Sequence, residues 1–217
     1  LAALATLAGH EGARVVDVGA GIGHVALPLA TRGFAVTAIE PAIEMLDRLR
    51  RHADERSLSV QALHAQAEAL PLPPASADLI VISDALHFLD AELAGLEVAR
   101  VLAPGGALAL VSCEFSDTPF MSSLVTLMHA AAPRRLRAID GAIAQLSAVA
   151  RVTLSAPTTF HDLTPLDTVQ LERILQTISF IGPAMNPARF AAFRERVHAL
   201  PEPVWARRFT LRSGRKA

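Results

Sequence analysis

The sequence carries one cysteine in 217 residues, Cys113. A lone thiol cannot close an internal disulfide, so no covalent framework is available and a reducing, cytoplasmic setting is expected. Charge imbalance is absent too: 20 Lys and Arg against 21 Asp and Glu leave a formal net charge of −1. No global field recruits nucleic acid or an acidic membrane surface. Two local basic clusters, Arg134-Arg135-Leu136-Arg137 and the terminal Arg207, Arg208, Arg212, Arg215 and Lys216, read as solvated surface. No apolar run reaches the ~18–20 residues of a membrane span. The apolar opening, Leu1 to Gly9, has no basic flank and reads as a helix, not a signal peptide. No Met precedes Leu1, which leaves room for residues upstream. Internal repeats and low-complexity tracts are missing, and the length suits a single domain over 1–217 with a sizeable core.

What is present centres on Val15-Val16-Asp17-Val18-Gly19-Ala20-Gly21-Ile22-Gly23-His24. The β-branched run predicts a buried parallel strand, and the glycines let the chain turn sharply into a helix expected over 22–32. Such a turn points backbone N–H groups at a ligand. A dinucleotide fingerprint wants a sixth-position glycine, and His24 stands there instead. A second strand, 35–39, ends at Glu40, a carboxylate placed to accept from both hydroxyls of a ribose.

Strands are further expected at 59–64, 78–82 and 107–112, with helices at 2–9, 42–55 and 91–102 and a Pro104-Gly105-Gly106 turn before the fifth strand. This alternation predicts a doubly wound parallel sheet. Beyond Cys113 the pattern changes. Helices are expected at 119–131, 134–148, 165–181 and 187–199, with Pro165 and Pro187 in first turns. Strands are expected at 150–160 and 204–212.

The Asp17-x-Gly19-x-Gly21-x-Gly23 pattern with Glu40 resembles the first motifs of class I S-adenosylmethionine (SAM) dependent methyltransferases. Later segments extend the likeness to the small-molecule branch called type 11, which includes trans-aconitate methyltransferase-like enzymes. Ala65-Gln66-Ala67-Glu68-Ala69-Leu70-Pro71 resembles its Gly-Asp-Ala-Glu-x-Leu-Pro segment, and Ala77-Asp78-Leu79-Ile80 its approach to strand four. Ala85-Leu86-His87-Phe88-Leu89-Asp90 is similar to its His-Trp-Phe-Asp stretch, and Leu102-Ala103-Pro104-Gly105-Gly106 matches its Leu-x-Pro-Gly-Gly turn.

The resemblance implies a Rossmann-like α/β fold: a seven-stranded, mostly parallel sheet with its last strand antiparallel, helices on both faces and a helical cap. Residues 1–113 would form the cofactor-binding core and 114–217 the cap and closing strands on the substrate side. It implies SAM as cofactor, held by Asp17, Gly19, Ala20, Gly21, Gly23, Glu40, Pro41, Gln66, Ala67, Glu68 and Ser83. Asp17 would orient the amino group of the methionine part. Gln66 stands where the family has an Asp on the adenine amino group, and its amide oxygen can accept the same bond. Ala42 replaces a common Ser.

Three readings of His87 stand side by side: general base for a hydroxyl or amine acceptor, wall of the active site, or structural histidine. Phe115, Phe120, Met121, Leu124 and Met128 could line an apolar pocket but fit plain core better. His64, His129 and His161 read as structural or exposed, with no metal-ligand spacing. The expected activity is methyl transfer from SAM to an oxygen or nitrogen of a small molecule, with no nucleic-acid or membrane partner. A catalytically silent SAM-fold binding or regulatory protein is the alternative, and a nicotinamide oxidoreductase stands third.

Overall fold

The computed structural model describes residues 1–133, 139–178 and 181–216. In chain order the elements are α1 (Ala2–Ala8), β1 (Arg14–Val18), α2 (Ala26–Ala30), β2 (Ala35–Ile39), α3 (Ile43–Glu55), β3 (Val60–Leu63) and β4 (Ala77–Ser83). A 3-10 turn (Leu86–Phe88), α4 (Ala91–Val101), β5 (Leu102–Phe115), α5 (Pro119–Ala131) and α6 (Asp140–Val149) follow. The chain closes with β6 (Thr158–Pro165), α7 (Thr168–Thr177), α8 (Pro187–His198) and β7 (Val204–Arg215).

The seven strands form one sheet in the order β3-β2-β1-β4-β5-β7-β6. The first five pair in parallel. Backbone bonds between Gly105 and Lys216 near one end, and from Ser116 N to Ala206 O near the other, run β7 antiparallel to β5. Strand order reverses at β1, with β2 on one side and β4 on the other. Open α/β sheets bind ligands at such a switch point, outside the strands' carboxyl ends.

Two compact units share the chain. The first comprises residues 1–112, 137–158 and 210–217, and the second 113–136 and 159–209. In the first unit, alternation along the strands decides which side chains go where. Val16, Val18, Ile80, Ile82, Leu108 and Leu110 pack with α4 and α6, while Val15, Leu79, Val81, Ala107 and Ala109 pack with α1 and α2. Gly95 lets α4 approach α6 closely, since a Cβ there would meet Val149 at 2.9 Å. The second unit has its own core of Phe120, Met121, Leu124, Met128, Leu171, Leu175, Phe193 and Val197. Four of the five apolar candidates of the sequence, Phe120, Met121, Leu124 and Met128, are therefore core. Phe115 is partly exposed and meets Trp205 edge-on at 5.2 Å.

The structure corrects several sequence expectations. The helix after β1 covers only Ala26–Ala30, not 22–32. Pro28 has no N–H for the His24 carbonyl, and the Ala26 N–H goes to Asp17 rather than back along the chain. The Pro104-Gly105-Gly106 segment lies inside β5, as a bulge between the Ala77–Leu102 and Leu79–Ala107 pairs. The strand expected at 150–160 begins at Thr158, and earlier only Val152 bridges, to Lys216. Pro165 closes β6, and α7 starts three residues later on an Asp167–Gln170 capping box. The Arg134–Arg137 cluster and the first residues of the helix expected at 134–148 lie outside the described residues. The terminal cations are not loose surface. Arg207 pairs with Asp162, Arg208 with Glu114 and Arg212 with Asp140, and Lys216 donates to the Ala99 and Leu102 carbonyls.

Candidate functional site

Asp17 sits next to last in β1, between Ala38 of β2 and Val81 of β4, and is 1 % exposed. Its Oδ2 accepts the Ala26 N–H at 3.0 Å, so it caps the start of α2. Burial pushes its carboxyl up to about 7; the Ala26 bond opposes this and the nearby Glu40 charge adds to it.

Glu40 follows β2 and is also buried. Its Oε2 accepts the Gly21 N–H at 2.8 Å and its Oε1 the Ala42 N–H at 2.9 Å. One carboxylate thus ties the glycine turn to the loop after β2. The Gly19 and Ala20 N–H groups both donate to the Ile39 carbonyl, fixing the turn a second time. Each carboxylate oxygen of Glu40 keeps a lone pair for a further donor.

The three glycines do different things. A Cβ on Gly19 would lie 2.5 Å from the Ala85 Cβ, so this glycine lets the loop after β4 close on the turn. A Cβ on Gly23 would meet Leu27 and Leu49 at 2.8 and 3.1 Å. Gly21, at φ +56°, has nothing within 4 Å. Two glycines are for packing and the middle one faces open space. That is the cradle a bound group needs.

The remaining candidates surround this point unevenly. Ala20 is buried beneath the turn. The Pro41 carbonyl accepts from His64 Nε2 at 2.8 Å, joining the loops after β2 and β3. Gln66 is exposed, while Ala67 is buried in the core. Glu68 uses Oε1 to accept the Asp90 N–H at 2.7 Å, and Asp90 in turn caps α4. The loop carrying Gln66–Glu68 is fixed to α4 from its other end. Glu97 accepts the Leu70 N–H, and Arg100 donates to the Leu70 and Leu72 carbonyls. Arg100 also holds the Glu97 carboxyl below its ordinary range. Ser83 ends β4, half-buried.

His87 sits in the 3-10 turn beyond β4, half-buried, its ring 3.9 Å from that of the largely exposed Phe88. Sequence reasoning passed over Asp84, exposed at the tip of β4 with φ +51°. A non-glycine residue in that region is uncommon, though Asp tolerates it. The signal was an acid abruptly ending a buried apolar run. The site can therefore take a cation against Asp17, paired hydroxyls at Glu40 and a reacting group near the loop after β4.

Comparison with known proteins bears on this crevice. Residues 16–110 match the profile of a family described as a methyltransferase domain. An uncharacterized methyltransferase of Mycobacterium tuberculosis is 44% identical over 98 residues, 45% of this chain and 39% of that protein. The matched stretch is thus less than half of that relative's length. The YcgJ protein of Bacillus subtilis has a TM-score of 0.67 at 22% identity, over 99% of this chain and 97% of that one. A geranyl diphosphate C-methyltransferase of Streptomyces coelicolor, solved with S-adenosyl-L-homocysteine, has a TM-score of 0.60 at 17% identity, over 100% and 78% of the two chains. At these identities the solved structures share the fold.

Proposed function

We propose that this chain is a SAM-dependent methyltransferase acting on a small-molecule acceptor. One observation carries the reading: two buried carboxylates frame the glycine turn, Glu40 bonding its middle residue, Gly21, which faces open space, and Asp17 capping the α2 helix that follows it. The residues fit the cofactor. Asp17 offers a buried negative charge to the ammonium of the methionine part, Glu40 the free lone pairs of its oxygens to the ribose hydroxyls, and Gln66 an exposed amide to the adenine. The finer likeness to trans-aconitate methyltransferase-like enzymes rests on the segments at 65–71 and 85–90 and belongs to the same proposal. So does the assignment of acceptor choice to the residues after Cys113, narrowed to 113–136 and 159–209, since α6 packs with α4 in the first unit and is not part of the expected cap.

When bound, SAM supplies a methyl group on a cationic sulfur, open to in-line displacement by a nucleophile. The protein's share is to hold the reactants together and to manage one proton. Glu40 and the Ile39 carbonyl fix the glycine turn before any ligand arrives, so little ordering is left to be done on binding. The loop after β4 presents His87, whose imidazole would accept the proton that an oxygen or nitrogen acceptor must lose on being methylated. A carbon acceptor, as the name of the Streptomyces enzyme indicates for that protein, would make different demands on this loop.

The experiment pairs binding with turnover. Calorimetry should show binding of SAM and none of NAD, and labelled SAM should methylate members of a panel of small acids, phenols and amines. His87→Ala should leave SAM affinity within a few-fold and lower turnover by ~10²–10⁴-fold. NAD binding without SAM binding would sink the reading. A loss of only a few-fold in the variant would make His87 a wall residue.

A further inference from the structure

Beside the glycine turn, between α2 and α3, lies a cavity of about 140 Å³ to which none of Asp17, Gly21 and Glu40 contributes. Ile22, Leu27 and Pro28 give it an apolar lining, and its side-chain hydrogen-bonding groups come from His24, His52 and Arg56. No acidic residue lines it. None of the three makes a side-chain hydrogen bond or ion pair with a described residue. Some arginines of this unit do meet a carboxylate, among them Arg14 at Asp78, Arg50 at Asp47 and Arg100 at Glu97.

What sets His24, His52 and Arg56 apart is convergence: three basic side chains line one concavity with no carboxylate among them. We propose that this cavity is a second ligand site, for the oxyanion group of a small molecule, a phosphate or a carboxylate. The size suits it: at ~30 Å³ per water, the space takes a tetrahedral oxyanion with part of its hydration shell. The Arg56 guanidinium offers a planar fork to two oxygens, and each imidazole offers a ring N–H to another. The apolar lining keeps competing water from one side of these bonds. Gly23 belongs both to this lining and to the cofactor turn, so an anion here would lie against the segment that presents Gly21. His24 stands where a dinucleotide fingerprint would carry its last glycine, and the cavity gives that replacement a use.

The inference goes beyond methyl transfer and is tested without the cofactor. Inorganic phosphate, sodium acetate and glycerol phosphate are each titrated calorimetrically into the full chain, with ionic strength held constant by sodium chloride. Saturable one-to-one binding of at least one anion is expected. A preference for phosphate, acetate or the phosphate ester then identifies the source of the group. His24→Gln combined with Arg56→Gln, both at exposed positions, should weaken that binding by roughly tenfold or more, the worth of one charge-assisted contact. Arg48→Gln, an exposed change on α3 outside the cavity, should leave it within twofold. Absence of saturable binding over chloride, or equal losses in the cavity and control variants, would overturn the proposal. SAM affinity of the wild type, measured separately, reports on the methyltransferase reading alone.

Discussion

At the scale of single residues, the crevice holds two buried carboxylates near each other, and the energetic cost falls on Asp17. Its carboxyl is raised to about 7 by burial first and the charge of Glu40 after that, against an ordinary value of 3.8. The folded protein therefore binds this proton more tightly than the unfolded chain does. Stability is highest below the unfolded value and falls as pH rises from about 4 towards 7, by about 4 kcal/mol in all. Thermal melts of the cofactor-free protein should lose roughly 10 °C over that range. Asp17→Asn keeps an oxygen for the Ala26 N–H and removes the charge, so its melting temperature should vary less with pH and exceed that of the wild type above pH 7. SAM binding should behave oppositely. The cofactor's ammonium favours ionised Asp17, so affinity should rise with pH through 7 in the wild type and be weak throughout in the variant. A parallel pH slope in both proteins would place the raised group elsewhere.

At the scale of elements, the glycine turn was legible because the strand before it reads as one β-branched run and the glycines fall on alternate positions. The separate job of each glycine was not legible, because it depends on Ala85, Leu27 and Leu49 from other segments. The short α2 shows a similar limit. Pro28 was visible, but the diversion of the Ala26 N–H to Asp17 is a contact between elements. Glu68 matched a cofactor motif, and its bond to Asp90 appears only in the fold. These roles can be separated by comparing Gly21 with Gly12, which lies ahead of β1. Both have positive φ, +56° and +78°, and both would place a Cβ where nothing lies within 4 Å. Valine at either position carries similar backbone strain, ~1–2 kcal/mol. Gly21→Val and Gly12→Val should therefore lose comparable stability in denaturant melts, while only Gly21→Val loses SAM binding. Equal SAM affinity in the two variants would remove Gly21 from the cofactor's path.

At the scale of the whole molecule, the sequence was most informative where burial is two-sided and parallel, and least where it is not. β6 has no apolar face to detect: seven of its eight positions are exposed, and Asp162 alone is partly covered. The partners of the terminal cations were hidden by distance along the chain, as with Arg215 on the Gly105 carbonyl and Lys216 on that of Leu102. The division into two units was hidden because the chain leaves the first unit after Ser112 and returns to it twice. Each unit has its own core, which gives the cofactor reading a test at this scale. Leu49 and Leu175 are both fully buried, one in each unit. Truncating either to Ala costs ~2–5 kcal/mol through the cavity left behind. Leu49 also packs where a Cβ on Gly23 would sit, so Leu49→Ala loosens the cofactor turn as well as the core. Leu175→Ala should lower stability to denaturant yet leave SAM affinity within a few-fold, whereas Leu49→Ala should lower both. If calorimetry finds SAM weakened equally by the two, cofactor binding depends on the second core as much as the first, and Asp17, Glu40 and Gly21 do not suffice to hold it.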